Sequence, residues 1–227
     1  MEQLTNFERK KEVLRYLAYK NQELDRITHE LIDESMIEIS SIAKERYLYN
    51  TFNILRNKDG LYLEGTNFYL IGQDIEKHLN KSESCILIGA SLGHEVDKRI
   101  RYYEKISMTK ALILDACATA LIEDLCDRIC NEIERDLKID GKGITSRYSP
   151  GYGDFPIGVQ RHFLSILDGK RQIGLTATST SILIPRKSVT AIVGIVSKDE
   201  VKKENTCTNC YKNNTCKYAK EGCGCGP

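Results

Sequence analysis

The segment Arg147-Tyr148-Ser149-Pro150-Gly151-Tyr152-Gly153-Asp154-Phe155-Pro156 gathers the residue types best suited to holding a ligand. Paired glycines and paired prolines in so short a run exclude helix and regular strand. Glycine lets a ligand approach the backbone closely, and proline fixes the path of the chain. Arg147 carries a planar fork suited to a carboxylate. Tyr148 and Tyr152 offer flat amphipathic faces to a ring system. A helix starting near Pro156 would add a partial positive end, with Asp154 as its natural cap. The pattern reads as a binding loop with an anionic anchor, and equally as an ordered turn with Arg147 salt-bridged to the fold.

Cysteine usage is the second chemical signal. Of nine cysteines, five crowd into the C-terminal end: Cys207, Cys210, Cys216, Cys223 and Cys225. The odd total, the C-x-x-C pair and a charged opening without a signal-peptide core argue against a secreted disulfide framework. Thiolates at this spacing suit zinc or an iron–sulfur cluster, and the spacing does not separate the two. Cys207, Cys210, Cys216 and Cys223 are the expected ligands. Cys126 and Cys130 stand one helical turn apart and read as buried structural cysteines in preference to a metal pair. Gly89-Ala90-Ser91-Leu92-Gly93-His94 lacks both the Gly-Lys-Ser/Thr ending of a phosphate loop and the Gly-x-Ser-x-Gly of a nucleophile elbow. It reads as a strand-to-helix turn. His29, His78 and His162 show no ligand spacing and read as ordinary surface or interface histidines.

Composition narrows the class. The 227 residues are 41% hydrophobic and 29% charged, enough for one core-bearing domain with a small appendage. A net charge of +1 offers no basic excess, which sets nucleic acid aside as a partner. No apolar stretch approaches the roughly 18–20 residues of a membrane span, so a cytoplasmic protein with no membrane partner is expected.

Periodicity supplies the elements that must position the loop. Residues 7 to about 46 have a helical pattern, with Leu14, Leu17, Leu24, Ile27 and Leu31 at helix-like spacings and a break near Tyr19–Gln22. Short branched and aromatic runs at 51–55, 61–64 and 67–71, punctuated by Asp59-Gly60 and Gly65, predict a β-meander. Residues 73–79 read as a helical turn or two, and 84–89 as a central strand ending in glycine. From Ser107 to Lys138 apolar residues recur three and four apart, the strongest helix signal in the chain. A helix over 156–167 capped by Gly169, then strands at 182–184 and 188–196, complete the pattern. The expected fold is α+β: a twisted antiparallel sheet with flanking helices and one long central helix. The expected domains are residues 1–197, and a linker with a cysteine-rich metal-binding tail over 198–227.

With these residues in view, the loop resembles the Arg-x-x-x-Gly-Tyr segment of the S-adenosylmethionine-binding activation domain of cobalamin-dependent methionine synthase, and is closer to the stand-alone members of that family. Leu14–Leu17, Asp25–Ile32, Gly89–Asp97, Leu112–Ala116 and Pro185–Gly194 are similar to the same family, so the resemblance covers roughly residues 7–196. It implies that S-adenosylmethionine binds beside a cobalamin carried on a partner chain. There cob(II)alamin is reduced by a flavodoxin-like or other electron donor and trapped as methylcobalamin. Arg147 would hold the methionine carboxylate, backbone around Ser149 and Gly151 would cradle the ligand, and Tyr152 would face the adenosine or the corrin. The resemblance also implies an acidic residue on the long helix, Glu123 with Asp124 as the alternative. No residue is implied as an acid–base catalyst, because the sulfonium methyl is already activated and positioning is the task. One departure stands out: the fused domain continues with a Pro-Ala-Cys-Pro-type sequence where this chain has Gly153-Asp154-Phe155-Pro156.

Three functions compete at this level. The first is a reactivation subunit of a split methionine synthase in methionine biosynthesis, since the chain is too short to hold homocysteine, folate and cobalamin modules as well. The second is an iron–sulfur or zinc accessory or electron-transfer protein for another corrinoid methyltransferase. The third, an ordinary S-adenosylmethionine methyltransferase, lacks a glycine-rich strand-turn-helix fingerprint.

Overall fold

The computed structural model describes residues 6–19, 23–58 and 60–200. The chain runs α1 (Asn6–Tyr16), α2 (Arg26–Ile42), β1 (Arg46–Asn57), β2 (Gly60–Leu63), β3 (Tyr69–Leu70), α3 (Gln73–His78), β4 (Ser84–Ser91) and α4 (His94–Glu104). It continues through α5 (Met108–Lys138), β5 (Lys142–Ile144), α6 (Gln160–Ile166), α7 (Gly169–Ile173), β6 (Thr176–Ala177), β7 (Leu183–Ile184) and β8 (Ser188–Ser197). The main sheet has the order β3-β2-β1-β4-β8-β5, and each neighbouring pair is antiparallel. This is the expected α+β fold, with the meander on one side and the long helix α5 across the sheet.

Period-2 alternation divides β4 and β8 between two cores. Ile86, Ile88, Ala90, Val193 and Ile195 face the layer of α1, α2, α4 and α5. Cys85, Leu87 and Ile192 face the opposite side, where Phe68, Phe155 and Phe163 close the core. Both faces are covered, so β4 is buried almost along its whole length. α5 spans the first core with a side chain oxygen of Ser107 capping its N-terminus.

The structure corrects several boundaries. The helical reading to residue 46 ran too far. Arg46-Tyr47-Leu48-Tyr49-Asn50 is strand, pairing in register with Ser91 to Leu87 of β4. α2 ends at Ile42, and residues 46–50 join β1 ahead of the expected 51–55 run. β4 likewise passes through Gly89 and ends at Ser91, with the turn at Leu92-Gly93. The expected 156–167 helix opens with a 3-10 turn, Ile157–Val159, before α6. Gly169 does not cap it; Asp168 turns the chain in the left-handed region and Gly169 opens α7. The proposed ligands Cys207, Cys210, Cys216 and Cys223 lie outside the described residues.

Three of the stretches quoted for the family resemblance meet at one place. Buried Asp97, in the first turn of α4, accepts the backbone N–H groups of Arg186 (2.7 Å) and Lys187 (3.4 Å). Lys187 in turn reaches across to Asp115 (2.9 Å) and Thr119 (2.8 Å) on α5. This clasp locks the entry of β8 to two helices, which sets the position of the strand beside which the loop from Arg147 runs.

Candidate functional site

β5 leads the chain onto the outer edge of β8, and two anchors hold it there. Thr145 donates its N–H to the Gly194 carbonyl and accepts the Gly194 N–H on its hydroxyl, both at 2.9 Å. Tyr148 exchanges a pair of backbone hydrogen bonds with Ile192, at 2.9 and 2.8 Å. Arg147 sits next to the second anchor in extended chain, so its side chain and that of Tyr148 leave on opposite faces. Arg147 goes to α5 and Tyr148 to the aromatic core.

On the α5 side, the guanidinium meets two carboxylates. Nη2 donates to Glu123 Oε2 at 2.8 Å, and Nη1 lies 3.1 Å from Asp127 Oδ1. Glu123 and Asp127 are four residues apart and therefore share a helix face. The structure also separates the two candidate acids. Asp124 is 4% exposed and engaged by Arg128 (3.2 Å) and Arg9 (3.8 Å), tying α1 to α5, whereas Glu123 faces the loop. Cys126 and Cys130 line the same place; burial pushes their thiols up to about 12 and about 11. Such thiols stay protonated at neutral pH and are poor metal ligands. No cluster of metal-ligating side chains occurs among the described residues.

Burial raises the carboxyls of both Glu123 and Asp127 above their ordinary values, against the opposing pull of Arg147. The folded state thus binds these protons more tightly than the unfolded chain. Stability from this source is highest below the unfolded values of 4.5 and 3.8, and falls as pH rises through the folded ones. Ionising the pair therefore costs the fold stability.

On the other face, Tyr148 packs against His78 (5.0 Å between ring centroids), Tyr152 (5.8 Å) and the buried Phe155 (6.4 Å). The loop closes on itself: Gly151 N–H bonds the Phe155 carbonyl, Tyr152 N–H the Ser149 carbonyl, and Phe155 N–H the Tyr152 carbonyl. Gly151 and Gly153 have φ of +98° and +49°, and a Cβ at Gly153 would strike Asp74 and the Tyr148 hydroxyl. Ser149 is half-buried, while Gly151 and Tyr152 are exposed. Arg147, Ser149, Gly151, Tyr152 and Glu123 are therefore gathered in and around one short loop.

Asp154 does not cap the helix after Pro156. Its carboxylate accepts the N–H groups of Gln73 (2.7 Å) and Asp74 (3.0 Å), capping α3 instead. Those bonds hold its carboxyl below the ordinary value of 3.8. The stability they supply is present above the unfolded pKa and lost as pH falls through the folded one. Asp154→Ala should therefore lower the melting temperature at neutral pH, with the gap to the parent narrowing as the pH is taken well below 3.8. A gap independent of pH in melting curves would exclude this role.

Sequence reasoning missed Asp127, the His78–Tyr148 contact and the α3 cap. Only the first had a local signal, its four-residue spacing from Glu123.

No helix among the described residues is long and apolar enough to cross a membrane. No protein-family model matches the sequence, and no curated protein matches it. Among solved structures, the chain is similar to the MetH reactivation domain bound to AdoHcy. The TM-score is 0.57 at 14% identity, over 83% of this chain and 70% of that one. At that identity the likeness is one of fold.

Proposed function

We propose that this chain is a stand-alone relative of the methionine synthase activation domain, which binds S-adenosylmethionine and supports reductive methylation of a cobalamin on a separate protein. The observation that carries this reading is the buried Arg147 fork. It is held by Glu123 on the helical side and by the Tyr148–Ile192 anchor, in a loop whose sequence resembles the family's and whose fold matches the reactivation domain. Nη1 of Arg147 is buried and pairs with Asp127 at 3.1 Å, so the guanidinium is fixed in place at the base of the loop. Exposed Tyr152 offers its ring to the adenosine or corrin.

The partner's corrinoid, reduced by one electron, would supply the nucleophile that takes the sulfonium methyl carbon, with S-adenosylhomocysteine leaving as a neutral thioether. This chain contributes binding and orientation, bringing the methyl into line without moving a proton. A cobalamin-bearing methionine synthase subunit or other corrinoid protein, together with a flavodoxin-like or other electron donor, are the partners the reading requires. The cysteine spacing of residues 207–223 favours a second reading, in which an iron–sulfur cluster or zinc in the tail serves electron transfer to some other corrinoid methyltransferase. Residues 198–227 would then be a functional appendage to the domain over 1–197.

Calorimetric titration of anaerobically purified protein with S-adenosylmethionine tests the first reading. Saturable binding is expected, and the protein should promote methylcobalamin formation on a reduced cobalamin protein. Absence of both would sink it. Brown colour and iron content in the same preparation would support the cluster.

A further inference from the structure

The approach of the loop to β8 contains one residue too many. Ile144 pairs with Ile195 and Tyr148 with Ile192, so four steps along the loop strand oppose three along β8. In an antiparallel ladder that mismatch is a β-bulge. The Gly194 N–H marks it. A regular ladder would give this donor to the Thr145 carbonyl, and here it goes to the Thr145 hydroxyl at 2.9 Å. The bulge decides which way the site residues point. Ile144 belongs to the core shared with α5. Under strict alternation Tyr148 would lie on that side and Arg147 would enter the opposite core. The extra residue inverts this, sending Arg147 to Glu123 on α5 and Tyr148 to the aromatic core.

One side chain outside the loop holds the bulge. His78, the last residue of α3, places Nε2 2.9 Å from the Ser146 carbonyl and 2.9 Å from the Thr145 hydroxyl. A carbonyl only accepts, so the proton sits on Nε2 in the neutral and the charged ring alike. The ring also lies against Tyr148, 5.0 Å between centroids and tilted by 36°. The other end of α3 takes the far end of the loop, through the Asp154 carboxylate on the Gln73 and Asp74 N–H groups. Buried Ile75 and Leu79 fix α3 in the core. We propose that His78 is a positioning residue of the candidate site: it locks the bulge at Thr145 and Ser146, and the bulge aims Arg147 and Tyr148. The proposal rests on the S-adenosylmethionine reading above, and adds to that site a residue that acts through the backbone, without contact with the ligand.

The test compares parent, His78→Ala and His78→Gln, whose amide restores a donor near the place of Nε2. In the parent, the Arg147 guanidinium held by Glu123 and Asp127 should give resolved Nη–H signals of restricted rotation in nitrogen-15 NMR. In His78→Ala these signals should broaden and average, although His78 and Arg147 lie on opposite faces of the strand. S-adenosylmethionine affinity, read by calorimetric titration, should fall about tenfold in the same variant, the scale of one hydrogen bond and of ordering the loop on binding. His78→Gln should recover most of both losses. A merely structural role would lower the melting temperature and leave the Arg147 signals and the affinity as in the parent, and that result overturns the inference. So does failure of His78→Gln to recover either. If the parent itself binds no S-adenosylmethionine, the functional reading fails, and the Arg147 signals alone decide whether His78 aims this side chain.

Discussion

Arg147→Ala should weaken S-adenosylmethionine binding by about 1.5–3 kcal/mol, roughly ten- to 150-fold, because under the proposed function it removes a charge-assisted hydrogen bond to the ligand carboxylate. The substitution also strips Glu123 and Asp127 of their counter-charge. Removing one partner of a fully buried pair typically costs about 3–5 kcal/mol. Here the carboxylates are 32% and 49% exposed, and can recover hydration, so the stability loss should be much smaller. Affinity and stability therefore separate: a large drop in titration against a modest shift in melting temperature. Arg147→Lys sharpens the comparison. It keeps the charge and loses the fork, so it should fall between parent and alanine. Unchanged affinity in Arg147→Ala would remove this side chain from the site and leave it as a tie between the loop and α5.

The sequence made the long helix, the meander and the central strands legible because each carries its own period. α5 repeats apolar residues over many turns, and β4 and β8 are continuous apolar runs between turn signals. What was not legible depends on partners distant in the chain. Arg46–Asn50 becomes strand because β4 pairs with it, which extends β1 ahead of the expected 51–55 run. Asp154 looked like the cap of the helix that follows it, yet it caps a helix some eighty residues earlier. The same limit applies at the site. Arg147 could be read either as a ligand anchor or as a structural ion pair; the structure shows the ion pair, with Glu123 and Asp127, and the anchor belongs to the proposed function. Choosing Glu123 over Asp124 needed the helix register, which is fixed only when Arg9 and Arg128 claim Asp124.

Phe155→Ala should be the most damaging single change to the loop, and for a different reason. The side chain is 1% exposed and packs in the core with Phe163, Leu167 and Ile192. Deleting a buried phenyl ring typically costs about 3–5 kcal/mol in lost transfer energy and cavity. For a domain of this size that corresponds to a fall in melting temperature of about 6–20 °C. The backbone of Phe155 also closes the loop, accepting from Gly151 and donating to Tyr152, while its ring supports Tyr148. With that pin gone, Ser149, Gly151 and Tyr152 would have to be ordered at the moment of binding, and the entropy of ordering would be subtracted from affinity. The expected result is a joint loss of stability and of S-adenosylmethionine binding, partly restored in Phe155→Leu. Arg147→Ala, by contrast, loses affinity with the loop still in place. If Phe155→Ala melted like the parent, the ring would not be the loop's anchor, and the order of residues 149–155 would have to come from the Asp154 cap on α3 and the loop's own backbone hydrogen bonds.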